Sequence, residues 1–237
     1  MSLMFEEIDS QPSALGRISL RRRRIPAFGD RDIYEVKLGE EFLMSSMFVD
    51  AEIALADLAL AMLDGDQLHV VVGGLGLGYT AEAALQHASV ADLRVVDALD
   101  TVIRWHQQEK APLGKSLNQD PRCHYVHGSF FAMALTGFDN DNPGRLFDAI
   151  LLDIDHSPRA LLHHGNASFY QADSLGRMAG QLRDGGVFAM WSNEPPDDDF
   201  SRLLAQVFGN SRAEIVSFYN PLQNNMAANT VYLSQKS

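Results

Sequence analysis

One junction constrains this chain more than any other. Val70-Val71-Val72 is a short β-branched run, Gly73-Gly74-Leu75-Gly76-Leu77-Gly78 follows it, and from Tyr79 the pattern turns helical. Glycines at a strand-to-helix turn let the backbone approach a ligand closely, and the helix N-terminus presents free N–H groups at the same place. A dinucleotide fingerprint reads G-x-G-x-x-G. Counted from Gly74, the third glycine comes one residue early, at Gly78, and Tyr79 stands where it should be. Gly73, Gly74, Gly76 and Gly78 are therefore candidate contacts for a ligand other than a dinucleotide. A tight turn without a ligand is the competing reading.

Around this junction strands and helices alternate. Apolar runs predict strands at 69–72, 93–96, 124–126, 149–154 and 187–191. Helical spacing predicts helices at 79–88, 99–110, 168–183 and 198–208. Short buried strands alternating with helices give a doubly wound α/β sheet covered on both faces. Residues 213–219 and 230–234 read as a closing antiparallel hairpin, with no helix between them. Upstream, residues 17–46 read as strands, with Tyr34, Val36 and Leu38 at period two. Leu55, Leu58, Ala59 and Met62 then mark a helix over 51–63. The expected organisation is a small N-terminal β element over 1–50 and a Rossmann-like domain over 51–237.

In such sheets ligands bind beyond the carboxyl ends of the strands, and acids stand there. Asp97 ends the second strand, 23 residues after Gly74, where a carboxylate can accept both hydroxyls of a ribose. Capping the next helix is the alternative role, although Asp100 is better placed for a cap. Asp153 and Asp155 lie two apart at the end of the fourth strand, hence on one face. Paired carboxylates are costly unless they face water or a cation, and a sulfonium and an amine are both cations. The G-x-G-x-G spacing fits folds that bind S-adenosylmethionine, where no pyrophosphate needs cradling.

In order and spacing these residues resemble the polyamine aminopropyltransferases, the spermidine synthase family, which have the class I S-adenosylmethionine methyltransferase fold. The resemblance runs from about residue 16 to 236. It takes in the glycine loop, Asp97 with Val102-Ile103, Asp120-Pro121-Arg122, His127-Gly128, Phe147-Asp148-Ala149-Ile150 leading to Asp153, Gly185-Gly186-Val187-Phe188, and the tail from Asn220-Pro221 to Asn229-Thr230-Val231-Tyr232. It implies that decarboxylated S-adenosylmethionine lies across the glycine loop, with Asp97 on its ribose. It also implies that Asp153 orients and deprotonates an attacking amine. A base is required because an alkyl ammonium has no lone pair at neutral pH. A homodimer is a further implication.

The departures are specific. The family's acid inside the glycine loop, which grips the aminopropyl ammonium, is replaced by Gly76, and the acid that meets the adenine amino group by Ser129. The second acid of the fourth-strand motif falls on His156, beside Asp155. Two N-terminal motifs of the diamine site are missing: Leu43-Met44-Ser45-Ser46 and Ile53-Ala54-Leu55-Ala56 stand there instead. Asp153 and Asp155 are thus the catalytic candidates. Asp155, His156, Trp191, Asn193 and Glu194 are the candidates for binding an amine acceptor. The run Asp197-Asp198-Asp199 is either a further amine contact or a solvated helix start. An aminopropyltransferase-like enzyme is the leading expectation, a methyltransferase using intact S-adenosylmethionine the second, and a nucleoside-binding protein without turnover the third.

Charge and composition fit a small cationic ligand. The formal charge is −12, which repels nucleic acid and anionic membranes. Basic residues concentrate only in Arg21-Arg22-Arg23-Arg24, read as a solvated strand rather than a phosphate contact. Cys123, His124 and His127 lie along one strand at offsets unsuited to a metal, so no metal is expected. A single cysteine and an acidic N-terminus without an apolar leader predict a cytoplasmic protein.

Overall fold

The computed structural model describes residues 5–26 and 29–237; residues 27–28 of the expected strand region lie outside them. The described residues build two sheets. The first is an antiparallel meander of β1 (Phe5–Ser13), β2 (Gly16–Arg23), β3 (Ile33–Leu38) and β4 (Glu41–Ser45). The arginine run lies on β2 and just past it, and acids face it. Arg21 pairs with Glu7, Arg22 with Glu6, Arg23 with Glu35 and Arg24 with Asp32. Cross-strand pairing of this kind accounts for the four cations.

Helix α1 (Asp50–Leu60) leads into the second sheet. Its strands are β5 (Leu68–Gly73), β6 (Val90–Asp97), β7 (Cys123–His127), β8 (Phe147–Leu152), β9 (Leu182–Ser192), β10 (Gly209–Asn220) and β11 (Asn225–Lys236). They lie in the order β7-β6-β5-β8-β9-β11-β10. β5 to β9 are parallel, and β11 runs antiparallel to both β9 and β10. The helices are α2 (Tyr79–Gln86), α3 (Asp100–Gln107), α4 (Gly114–Gln119), α5 (Phe130–Thr136), α6 (Ala172–Ala179) and α7 (Asp198–Phe208). No helix among the described residues is long and apolar enough to cross a membrane.

The period of two in the strands sorts their side chains between two cores. Val70, Val72, Leu151 and Ala189 face one side with α1, α2 and α3. Val71, Ile150, Phe188 and Met190 face the other, where Phe130, Phe138, Phe147, Phe169 and Phe208 form an aromatic layer. The first core does not stop at the sheet: Ile18, Leu20, Val36 and Leu38 of the meander pack into it beside Leu55 and Leu77. A polar tie adds to the junction. Asp9 on β1 accepts hydrogen bonds from the Trp105 indole (3.2 Å) and the Lys110 ammonium (2.7 Å).

The helix expected over 168–183 is three things instead. Phe169 and Tyr170 end a 3-10 segment, His164–Tyr170. Gln171 is extended, and α6 follows. Leu182 already belongs to β9 and pairs with Phe147. Phe169, Tyr170, Leu175, Met178, Ala179 and Leu182 are all buried, so their spacing alone did not separate helix from strand. Helices α4 and α5 escape the periodicity because each is two turns or less. Asp100 is not a cap: it sits inside the first turn of α3 and pairs with Arg104, while the cap position is Leu99.

Candidate active site

Strand order reverses between β5 and β8, and the crevice at their carboxyl ends is the expected ligand position. A cavity of about 650 Å³ opens there. β5 contributes the glycine loop, β6 contributes Asp97, the turn after β7 contributes Ser129, and the residue after β8 is Asp153. Trp191 comes from β9. The β4 strand of the meander and the start of α1 close the remaining side.

The glycine loop is held by its neighbours. Gly74 N–H donates to the Val96 carbonyl at 2.9 Å, and Asp153 N–H donates to the Gly73 carbonyl at 2.8 Å. Gly74 and Gly76 line the cavity and have positive φ, 96° and 47°, conformations that suit glycine. A Cβ on Gly74 would lie 2.1 Å from the Asp153 carbonyl oxygen. Gly73 and Gly78 are not among the residues lining the cavity. Their missing side chains admit the Phe130 ring and the His106 and Leu117 side chains, respectively. His106 is fully buried, its Nε2 is 3.0 Å from the Gly76 carbonyl, and burial pushes its pKa down to about 4. It is therefore neutral at physiological pH and fixes the loop from behind.

Gly76 also shows what has become of the space beside it. The Met44 sulfur accepts the Leu77 N–H at 3.2 Å and would lie 2.4 Å from a Cβ at position 76. A thioether from β4 fills the position where a loop side chain would project.

Three carboxylates line the cavity: Glu52, Asp97 and Asp153. Asp97 accepts N–H bonds from Leu75 (2.9 Å) and Leu99 (2.8 Å), one on each oxygen. Burial still raises its pKa, more than these bonds lower it. The Gly76 N–H also interacts with this carboxylate, which lines the cavity beside the apolar walls of Leu99, Val102 and Phe131. Ser129 caps α5 by accepting the Ala132 N–H and also lines the cavity. Asp153 accepts the Thr80 hydroxyl at 2.7 Å, and burial pushes its pKa up to about 6. Glu52 is pushed up to about 8, first by burial and then by repulsion from Asp153. Both carboxyls are thus raised by burial, with their mutual repulsion adding to it, so the pair favours holding a shared proton over carrying two full charges.

Sequence reasoning missed Glu52. The signal was present: it shares a helical stripe with Leu55, Ala56 and Ala59, an acid on the buried face of α1. It also overreached on Asp155. That carboxylate is fully buried and absent from the cavity wall; it binds Leu162 N–H, Asn166 and the Tyr170 hydroxyl. Asp153 and Asp155 thus part company, because the chain turns out of the strand after Leu152. Asp155 pins the loop that follows and is no acceptor contact. Glu194 is exposed and does not line the cavity, whereas His156, Trp191 and Asn193 do. His156 reaches Glu41 of β4 at 2.9 Å. Asp197 caps α7, accepting N–H bonds from Asp199 and Phe200, and pairs with Arg159. The acidic run is a helix start.

No family model matches the chain, and no curated protein matches its sequence. Solved structures match its fold. Spermidine synthase from Thermotoga maritima aligns with a TM-score of 0.73 at 18% identity, over 98% of this chain and 73% of that one. A spermidine synthase in complex with the transition-state analogue AdoDATO gives 0.74 at 18% identity, over 98% and 74%. The chain has the Rossmann-like methyltransferase fold. Human methyltransferase-like protein 13 in complex with SAH shares it more distantly, with a TM-score of 0.57 at 15% identity over 79% of this chain and 82% of that one.

Proposed function

We propose that the chain is a transferase that moves an aminopropyl group from a decarboxylated S-adenosylmethionine-type sulfonium to an amine. One observation carries this reading: three carboxylates line the cavity, and among the described residues no lysine or arginine does. A negative, partly desolvated cleft favours cations and disfavours carboxylates. A sulfonium with an ammonium tail matches it; the carboxylate of intact S-adenosylmethionine has no basic partner there. The fold shared with two spermidine synthases supports the same reading.

In this scheme Asp97 holds the ribose hydroxyls, Ser129 meets the base, and the donor supplies an electrophilic carbon next to sulfur. Asp153, oriented by Thr80, takes the proton from the incoming ammonium. The freed amine lone pair then forms the N–C bond as the C–S bond breaks, and methylthioadenosine leaves with the electron pair. Glu52 keeps one proton in the carboxylate pair until the cation arrives. Holding amine and carbon in line supplies much of the acceleration.

Methyl transfer from S-adenosylmethionine is the second reading. The filled space at Gly76 favours it, since no acid there repels a carboxylate. Calorimetry separates the two. Decarboxylated S-adenosylmethionine is expected to bind at least tenfold more tightly than S-adenosylmethionine; equal affinity defeats aminopropyl transfer. Asp153→Asn is expected to lower methylthioadenosine release by about 10²–10⁴-fold, the usual contribution of a general base. The wild-type rate should rise with pH through about 6, as Asp153 ionises.

A further inference from the structure

The cavity runs past the carboxylate pair. On the β6 and β7 side lie Asp97 and Ser129, where the proposed reading puts the nucleoside. On the β9 and β10 side lie Phe48, Trp191 and Phe218, with Asn193 and Asn229 at their edge. The Phe48 and Phe218 rings contact each other at 5.6 Å between centroids. A linear diamine reaching across Asp153 and Glu52 would bring its far ammonium among these rings.

Among the residues lining the cavity, no third carboxylate is available there. Asp97 stands on the opposite side. Asp155 is buried behind the wall with its oxygens occupied by Leu162, Asn166 and Tyr170. Glu194 does not line the cavity, and Glu41, also outside it, is engaged with His156. Aromatic faces attract a cation only weakly compared with the cost of stripping an ammonium of water without a counter-charge. The same rings are well suited to an apolar group.

We infer that the acceptor is a monoamine with an apolar or aromatic body, its single ammonium at Asp153 and Glu52 and its body against Phe48, Trp191 and Phe218. This deepens the proposed function and rests on it for the direction in which the donor lies. The reaction is unchanged: one N–C bond forms, one C–S bond breaks, and the ammonium proton passes to the carboxylate pair.

The test measures acceptor binding separately from turnover. The full chain, saturated with methylthioadenosine, is titrated calorimetrically with phenethylamine, butylamine and the diamine putrescine. Phenethylamine is expected to bind at least tenfold more tightly than putrescine, with butylamine between them. Phe218→Ala is expected to remove most of that preference while leaving methylthioadenosine affinity within about twofold. Putrescine binding as tightly as phenethylamine, or a preference untouched in Phe218→Ala, overturns the inference. Methylthioadenosine release from decarboxylated S-adenosylmethionine is followed in parallel. If no amine elicits release while the binding preference holds, aminopropyl transfer fails and the apolar amine site stands.

Discussion

Glu52 shows how one residue's environment becomes a measurable property. It sits on the packed face of α1, and its carboxyl pKa is raised from 4.5 to about 8. A group whose pKa is higher folded than unfolded favours the fold when protonated. Its contribution is complete below 4.5 and is lost as pH rises toward 8. Stability should therefore fall across that window, by at most about 1.4 kcal/mol per pH unit from this one group. Glu52→Gln should remove that slope and be more stable than wild type above pH 8, as read from denaturant melts across pH. Parallel curves for the two proteins would show that Glu52 is solvated. The residue was legible as an anomaly, an acid in an apolar stripe, but its partner Asp153 lies a hundred positions away and only folding brings them to one cavity.

Among the elements, the loop between β8 and α6 depends on Asp155. Three donors converge on its buried carboxylate, from the Leu162 backbone, Asn166 and Tyr170. Leaving buried donors unpaired costs about 1–3 kcal/mol each. Asp155→Ala should destabilise the protein by at least about 2 kcal/mol and expose residues 156–170 to limited proteolysis. Asp155→Asn, which keeps an acceptor, should recover part of the loss. Full methylthioadenosine release in a folded Asp155→Asn would fit this structural role; complete loss would return Asp155 to the chemistry. In the sequence Asp153 and Asp155 read as equivalent, because a strand places residues two apart on one face. The strand ends at Leu152, so the rule stopped applying just where the site begins. The helix expected over 168–183 went wrong for a related reason: buried apolar residues satisfy helix and strand spacing alike over a few positions.

For the whole molecule, the meander and the second sheet share a core. Ile18, Leu20, Val36 and Leu38 are each at most 8% exposed within one cluster that includes Leu55 and Leu77. Four such side chains contribute roughly 6–12 kcal/mol at about 1.5–3 kcal/mol each, comparable to the total stability of about 5–15 kcal/mol expected of a domain. The full chain should thus unfold in one calorimetric transition, and a chain lacking residues 1–46 should show none. Two separable transitions would mean that the shared core is not cooperative. The same packing brings Met44 of β4 to the site and Glu41 to His156 at its edge.

The alternation of strands and helices, the glycine loop, Asp97 and the closing hairpin were fixed by the sequence itself, because period and turn chemistry act over a few neighbouring residues. They suffice for the Rossmann-like fold and for the edge of the sheet where the cavity opens. That Glu52 faces the cavity and Asp155 does not was decided by tertiary structure. Glu52 enters from α1, Asp155 turns away into its loop, Met44 takes the space beside Gly76, and Phe48 and Phe218 meet across the far end. Asp155 is held by its own loop, but the placement of Glu52, Met44, Phe48 and Phe218 depends on contacts between segments distant in the chain, and burial and counter-charge are properties of that assembled neighbourhood, which no local spacing encodes.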